Sequence, residues 1–554
     1  VTPNVKSLPA LTLSVAAAAL LLSPLATQAQ AQGQAQSQTQ AAAPAPAGPK
    51  ANWQNLDLKV DGMFGISTER AYKELLKKKV KPILVAVIDG GIDNNHEDLK
   101  SVMWNNPKEV AGNGVDDDKN GYADDLHGWN FIGGAKGDVQ YDNLEITRLL
   151  RKLKPKYSAI TDTTKLSAAE HDSLVLYRKV AEDYDQELRK AQALLTNMSA
   201  FKSILDGMVS RMGKTNPTLQ DFQNFQSQNQ GEAQVRNIVM NQLTNDPDFS
   251  KFANDELGEG IKHFKEEVDY NLNLSYDPRS IVGDDTNNVN EHFYGNADMM
   301  GPDADHGTHV AGIIGADRTN NIGIMGVADA VRIISVRAVP TGDERDKDIA
   351  NAIRYAVDNG ARVINMSFGK PYSPNKPVVD DAVKYAMSKD VLLVHAAGND
   401  NKDLDKEGNF PTRVYADSTG SAAAWIEVGA SGWKDDPSLK APFSNYGKTT
   451  VDVFAPGVAI HSTTPGSKYA DHDGTSMAAP VVTGLAALIR SRYPQLTAVQ
   501  VKDIIMKSVV PVTHDVAIPG DDGQPPRMVP FSELCVTGGI VNVYNALKLA
   551  ATYK

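Results

Sequence analysis

Asp89, His306 and Ser476, set far apart along a chain of 554 residues, are of the types that together can break an amide bond. Ser476 stands in Gly474-Thr475-Ser476-Met477-Ala478-Ala479-Pro480. The apolar residues that follow (Met477, Val481, Val482, Leu485, Leu488, Ile489) recur at helical spacing. Ser476 is therefore expected at or just before a helix N-terminus, where unpaired N–H groups and the helix dipole favour negative charge. A serine there can serve as a nucleophile whose oxyanion is stabilised, or merely as an N-cap. Its partners argue for chemistry. His306 lies in Asp305-His306-Gly307-Thr308-His309-Val310-Ala311-Gly312, leading into a small-residue helix, and Asp89 closes the aliphatic run Ile83 to Ile88. A carboxylate at the C-terminal end of a buried parallel strand occupies the usual functional edge of an open α/β sheet. Separation in sequence is no obstacle to a spatial triad of carboxylate, imidazole and hydroxyl. His306 and His309, three apart, could suggest a metal pair, but no convincing zinc set is completed nearby and His309 reads as structural.

The elements that must position these groups alternate. Val331 to Val339 reads as a strand, Ile349 to Asp358 as a helix, Val363 to Ser367 as a strand, Val379 to Met387 as a helix and Val391 to His395 as a strand. Such alternation predicts a parallel sheet covered on both faces, an α/β fold. Upstream, Ser67-Thr68-Glu69-Arg70 reads as a helix start, with Ala71, Leu75 and Leu76 on its apolar face. Residues 142–272 differ. They are polar and helix-prone, and Leu174, Tyr177, Ala181, Tyr184, Leu188, Ala191 and Leu195 form an a/d seam. Pro155, Pro217 and Pro247 punctuate the segment, which predicts an all-α insertion, a two- or three-helix antiparallel hairpin. Most of its residues are expected to serve internal packing, with the whole element available as a lid or a partner-docking arm.

Residues 1–31, with Lys6, an apolar run from Leu11 to Leu25, and Ala29 and Ala31 as small cleavage-site residues, read as a secretory signal too short for a stable membrane span. Export to a periplasm or to the medium follows as the expectation. Residues 32–50 form a Gln/Ala/Pro-rich linker. A formal net charge of −12 argues against a nucleic-acid partner. Cys535 is the sole cysteine, so no intrachain disulfide forms, and it reads as a small buried apolar residue. Between Asn113 and Asp125, oxygen side chains recur at Asp116, Asp118 and Asn120, followed by Gly121, the Tyr122 carbonyl and Asp124. This matches the first nine positions of a calcium loop, with His127 where the closing Glu would stand, and predicts a structural calcium ion.

Five ordered motifs together resemble the subtilisin-like serine proteases. They are Val-Ala-Val-Ile-Asp-Gly-Gly-Ile-Asp at 85–93, His-Gly-Thr-His-Val-Ala-Gly at 306–312, Asn-Met-Ser-Phe-Gly at 365–369, Ala-Ala-Gly-Asn at 396–399 and Gly-Thr-Ser-Met-Ala-Ala-Pro at 474–480. The order Asp, His, Ser is the one that subtilisin itself exemplifies. The resemblance covers roughly residues 83–127 and 278–509 and implies a three-layer, mostly parallel fold in two parts, 51–141 and 273–554, around the insertion. It implies a secreted endopeptidase acting on protein or peptide without a catalytic cofactor. Ser476 would attack, His306 would carry the proton, Asp89 would hold the imidazole, and Asn399 with the Ser476 N–H would bind the oxyanion. Ser367, Phe368 and Gly369 would pair with substrate. Ala396, Ala397 and Gly398 would wall the primary specificity pocket, with Asn409 at its far end and Asp400 nearby raising a preference for basic side chains. The alternative is an inactive scaffold of the same family whose helical arm binds a partner or pro-segment. A serine-carboxyl peptidase, with Glu for His, is set aside by the His306 motif and Asn399. Three departures stand out. Gly90 replaces the hydroxyl residue usual after the aspartate, which predicts a lost supporting hydrogen bond. The segment Thr319 to Ile324 is one residue short of the family's calcium loop, for which Asp98 would be the carboxylate ligand. Residues 50–82 are too few for the usual folding pro-domain.

Overall fold

Ile83–Asp89 (β1) is aliphatic on both faces, and that suits it to the centre of a sheet buried on both sides. The computed structural model describes residues 48–520 and 524–553; the leader at 1–31 and most of the linker lie outside them. Strands Gly128–Asn130 (β2), Val331–Arg337 (β3), Val363–Met366 (β4), Leu392–Ala396 (β5), Trp425–Ser431 (β6), Val453–Pro456 (β7), Val510–Pro511 (β8) and Gly539–Ile540 (β9) join β1 in a nine-stranded sheet of order β8-β9-β7-β6-β5-β4-β1-β3-β2. Every pairing is parallel except β8 with β9. Register places Asp89 beside Arg337, Ile88 beside Met366, and Met366 beside His395, so the C-terminal ends of four strands share one edge.

The period-two alternation of each strand divides the core between two faces. Val85, Val87, Ile333, Val363 and Val394 pack with helices Asp305–Gly315 (α1), Thr475–Arg492 (α2), Ala498–Lys507 (α3) and Val543–Ala550 (α4). Ala86, Ile88, Ile334, Ile364 and Leu393 pack with Asp346–Asp358 (α5) and Lys376–Ser388 (α6). The result is the mixed three-layer α/β fold anticipated from the alternation. Cys535 is fully buried in a third apolar cluster with Phe454 and Phe531. Among the described residues no helix is long and apolar enough to cross a membrane.

The chain divides into two units, one of residues 49–145 and 275–554, the other of 146–274 within the described residues. The division falls later than position 142 because Asp142 is held by Arg345 at 2.7 Å and Glu145 by Lys370 at 2.9 Å. The helical unit is built on one helix, Ala168–Met212, opened by a Ser167/Glu170 capping box and closed by Gly213 in the left-handed conformation. Its buried stripe corrects the predicted seam. Leu174, Tyr184 and Ala191 are buried as expected, but the stripe continues through Leu194, Met198, Phe201, Leu205 and Met208, while Tyr177, Ala181, Leu188 and Leu195 are half-exposed. Nor is the unit a simple hairpin. The long helix is followed by shorter pieces, Leu219–Asn224, Gln230–Asn245 and a helix over 251–271 with π-helical turns at both ends; Pro217 and Pro247 sit in the breaks. Packing against these several short pieces shifts the buried face along the long helix. Pro155, by contrast, lies inside the helix Glu145–Tyr157.

In the first unit, Arg279 is buried between two carboxylates. It donates to Asp348 through both terminal nitrogens at 2.7 Å and to Asp284 at 2.5 and 2.8 Å, and both acceptors are fully buried. Removing one partner strands buried charge. Arg279→Met is expected to lower stability by about 3–5 kcal/mol, read as a reduced urea midpoint; an unchanged midpoint would refute the assignment.

Candidate active site

The strand end, the helix α1 and the helix α2 deliver the three reactive side chains to one edge. Asp89, 3% exposed, terminates β1. His306 opens α1, and its Nδ1 lies 2.8 and 3.0 Å from the two Asp89 carboxylate oxygens. The approach depends on Gly307: a Cβ there would lie 2.2 Å from the Gly91 carbonyl oxygen and 3.1 Å from the Asp89 Cβ. Burial lowers the His306 pKa, but the Asp89 charge and hydrogen bond outweigh it, and the net shift is upward from 6.5. The hydroxyl that Gly90 lacks is replaced by backbone, because the Gly90 N–H donates to Asp89 Oδ1 at 2.7 Å.

Ser476 lies in the first turn of α2, whose N-terminal amides have no intrahelical acceptor. Its hydroxyl donates to the Ser367 carbonyl at 3.2 Å rather than to His306, and the Ser367 hydroxyl donates back to the Ser476 carbonyl at 2.9 Å. Behind this reciprocal pair, Thr483 donates to Asn365 Oδ1 and Asn365 Nδ2 donates to Ser367 Oγ, both at 2.9 Å. One cleft is lined by Asp89, His306, Thr341 and Ser367. Unbound sites often hold the nucleophile in a looser hydrogen bond that a substrate displaces.

Asn399 is oriented by Thr475. Its Oδ1 accepts from both the Thr475 N–H and the Thr475 hydroxyl at 2.9 Å, and that hydroxyl accepts from the Gly398 N–H at 3.0 Å. The carboxamide oxygen is thereby committed, and the NH2 group faces Gly474, 3.5 Å from where a Cβ would stand on that glycine. Thr475, Asn365 and Thr483 escaped the sequence reading. Their signal lies within the motifs, as polar residues in otherwise apolar runs. His309 is structural: it is fully buried, its Nε2 meets the carbonyls of Ile460 and Ala470 at 2.9 and 3.1 Å, and burial pushes its pKa well below the usual value.

Ser367, Phe368 and Gly369 extend β4, and Ala396, Ala397 and Gly398 extend β5 beside them. Gly398 adopts φ +100°, and a Cβ there would meet Asn445 Nδ2 at 2.5 Å, so only glycine suits the position. Asn409 sits across these segments, donating to the carbonyls of Ala396 and Ala397 at 3.1 Å.

The acidic loop is rearranged relative to expectation. Asp116 and Asp118 converge with Glu109, which the sequence reading missed, their oxygens within 4.8 Å of one another. Asp124 does not join them; its carboxylate accepts from the N–H groups of Gly112, Asn113 and Gly114. Asn120 donates to Asp125 at 3.0 Å, and its Oδ1 accepts from the Tyr122 N–H at 2.8 Å. The Tyr122 ring packs on Trp129 and Tyr355. At the shortened loop, Asp98 accepts from Asn320 Nδ2 at 2.7 Å and the Ile324 N–H at 2.9 Å, so protein donors take the place of a cation there.

A parallel sheet carrying an aspartate–histidine pair and a helix-start serine along its carboxyl edge has the layout of a serine hydrolase. The chain belongs to the subtilase family, whose model matches residues 81–528. It is 45% identical over 188 residues to the thermophilic serine proteinase of Bacillus sp. (strain AK1), covering 34% of this chain and 43% of that protein. It is 39% identical over 199 residues to subtilisin Savinase of Lederbergia lenta, covering 36% of this chain and 67% of that protein. With subtilisin NAT of Bacillus subtilis subsp. natto it shares 41% identity over 201 residues, 36% of this chain and 49% of that protein. The chain thus spans about half the length of several curated relatives it matches. Among solved structures, one of the proteases from Pseudoalteromonas arctica aligns with 28% identity and a TM-score of 0.37, over 46% of this chain and 79% of the other.

Proposed function

We propose that the chain is an exported serine endopeptidase. The observation that carries this reading is the buried Asp89–His306 pair at the edge where Ser476 begins α2. Ser476 Oγ adds to the scissile carbonyl as His306 Nε2 takes its proton. The tetrahedral oxyanion is met by Asn399 Nδ2 and the Ser476 N–H. Collapse transfers the proton to the leaving amine and leaves an acyl-enzyme that water hydrolyses by the same relay. Asp89 holds the tautomer and stabilises the imidazolium. Ser367 to Gly369 pairs with the substrate backbone as an added strand. The helical unit supplies no reacting group and is assigned to contact with a partner or pro-segment. The apolar run at residues 11–25 supports export. A fluorophosphonate probe tests the reading: one adduct is expected by intact mass, localised to Ser476, and well-folded protein that takes none would refute it.

The relay sets a pH dependence. Below its pKa His306 is an imidazolium and cannot accept the serine proton, and Asp89 stabilises that charged form. Activity is therefore expected to be lost as pH falls, with the acid midpoint of kcat/KM above 6.5. A midpoint below that value would mean that Asp89 does not act on His306.

We also assign Glu109, Asp116 and Asp118 to a structural calcium ion. Three hard carboxylate oxygens this close repel one another and match the donor set of that cation. A ligand at about 100 times its Kd adds about 2.7 kcal/mol of stability. Chelation is expected to lower Tm, calcium to restore it, and Asp118→Asn to blunt both responses. A Tm indifferent to calcium would overturn the assignment.

A further inference from the structure

On the proposed reading, Ser367 to Gly369 aligns the substrate and Asn399 marks the attacked carbonyl. The side chain before the scissile bond then enters between the segments 367–369 and 396–398. These leave the sheet side by side, since Met366 pairs with His395. The Asn409 carboxamide already stands in this slot. Its Nδ2 donates to the carbonyls of Ala396 and Ala397 on one wall, both at 3.1 Å. On the other wall it lies against Gly369, where an added Cβ would come within 2.3 Å of Asn409 Oδ1 and 2.8 Å of its Cγ. The Cβ position of Gly398 is 3.6 Å from Asn409 Nδ2. One carboxamide thus spans the slot between two glycines.

Asn409 is also held from behind. The next residue, Phe410, exchanges both backbone hydrogen bonds with Lys370, at 2.8 and 3.0 Å. The buried Lys370 ammonium is itself fixed by Glu145 at 2.9 Å and Asp346 at 2.8 Å. Swinging Asn409 aside would break two hydrogen bonds to carbonyls and strain this anchor.

We infer that Asn409 is a specificity-determining residue that makes the primary pocket shallow, so that the substrates are peptides with a small uncharged residue, Ala, Ser or Gly, on the acyl side of the cleaved bond. Leu, Phe and Lys are too long for the depth that Asn409 leaves. A hydrophobic pocket discriminates one methylene by about 10- to 200-fold, and Phe exceeds Ala by a whole ring.

The test is a series of peptide anilides differing only in the residue before the anilide (Ala, Ser, Leu, Phe or Lys), with each preparation titrated by a fluorophosphonate. For the full chain, kcat/KM for Ala is expected to exceed that for Phe and Lys by at least about tenfold. Asn409→Gly is expected to raise the Phe-to-Ala ratio by at least about tenfold. Labelled wild-type protein that prefers Phe, Leu or Lys overturns the inference while leaving the endopeptidase reading intact. So does a labelled Asn409→Gly variant with an unchanged ratio. Folded wild-type protein that takes no label overturns both. Should Asn409→Gly fail to fold, Asn409→Ala and the wild-type ranking by themselves still decide.

Discussion

Ser476→Ala is expected to abolish turnover and fluorophosphonate labelling together, with kcat falling by about 10⁶. That magnitude was measured on subtilisin, a relative in the same family. The size follows from what remains: without the hydroxyl there is no acyl-enzyme, and water must attack the carbonyl directly, helped only by the oxyanion donors and substrate binding. The substitution is a clean one here. The Ser476 hydroxyl makes a single hydrogen bond, to the Ser367 carbonyl, and the Ser476 carbonyl keeps its bond from the Ser367 hydroxyl when the side chain is truncated. Stability should therefore change by less than about 1 kcal/mol. Assay against a peptide anilide, with a urea titration alongside, separates the two quantities. Retained turnover would place the nucleophile elsewhere; lost stability would make Ser476 a structural residue.

Asp89→Asn is expected to be the next largest effect, a fall in kcat of about 10⁴ at neutral pH, a figure established on a serine protease of another fold. Both Asp89 oxygens lie within 3.0 Å of His306 Nδ1, and Oδ1 also accepts from the Gly90 N–H at 2.7 Å. An asparagine keeps one oxygen for the Gly90 N–H but turns its NH2 toward the imidazole. That reverses the tautomer and leaves Nε2 carrying a proton where it must accept one. The substitution also removes the charge that raises the His306 pKa, so any residual activity should show its acid limb at a lower pH. A pH profile of kcat/KM for both proteins checks the two statements at once. An acid limb that stays in place would show that Asp89 acts on His306 through geometry alone.

Much of the architecture was legible in local pattern. The unbroken aliphatic run of β1 announced a strand buried on both faces, and it is the third strand from one edge of the sheet, packed on either side. The helical spacing after Ser476 predicted α2, and strand–helix alternation predicted the layers. The helical unit was recognisable from composition and prolines, yet its seam was not. Leu188 and Leu195 satisfy the heptad as well as Leu194 and Met198 do, and only the helices packed against the long one select the buried set.

By itself the sequence determined which chemistry was available: a carboxylate at a strand end, an imidazole at a helix start, a serine at another helix start, and the order that relates them to the subtilases. The tertiary structure decided which of several equivalent groups meet. Glu109, far from the loop pattern, joins Asp116 and Asp118, while Asp124 turns to the amides of residues 112–114. The backbone of Gly90 supplies the bond its missing side chain would have made, and Asn409 lies across the slot it was expected only to close. The reason is physical. Periodicity and capping act through neighbours on one turn or one pleat and are written in consecutive residues. Hydrogen-bond partners at an active edge come from strands and loops far apart in the chain. Which carboxylate or amide accepts which proton is settled only when packing brings those backbones within reach.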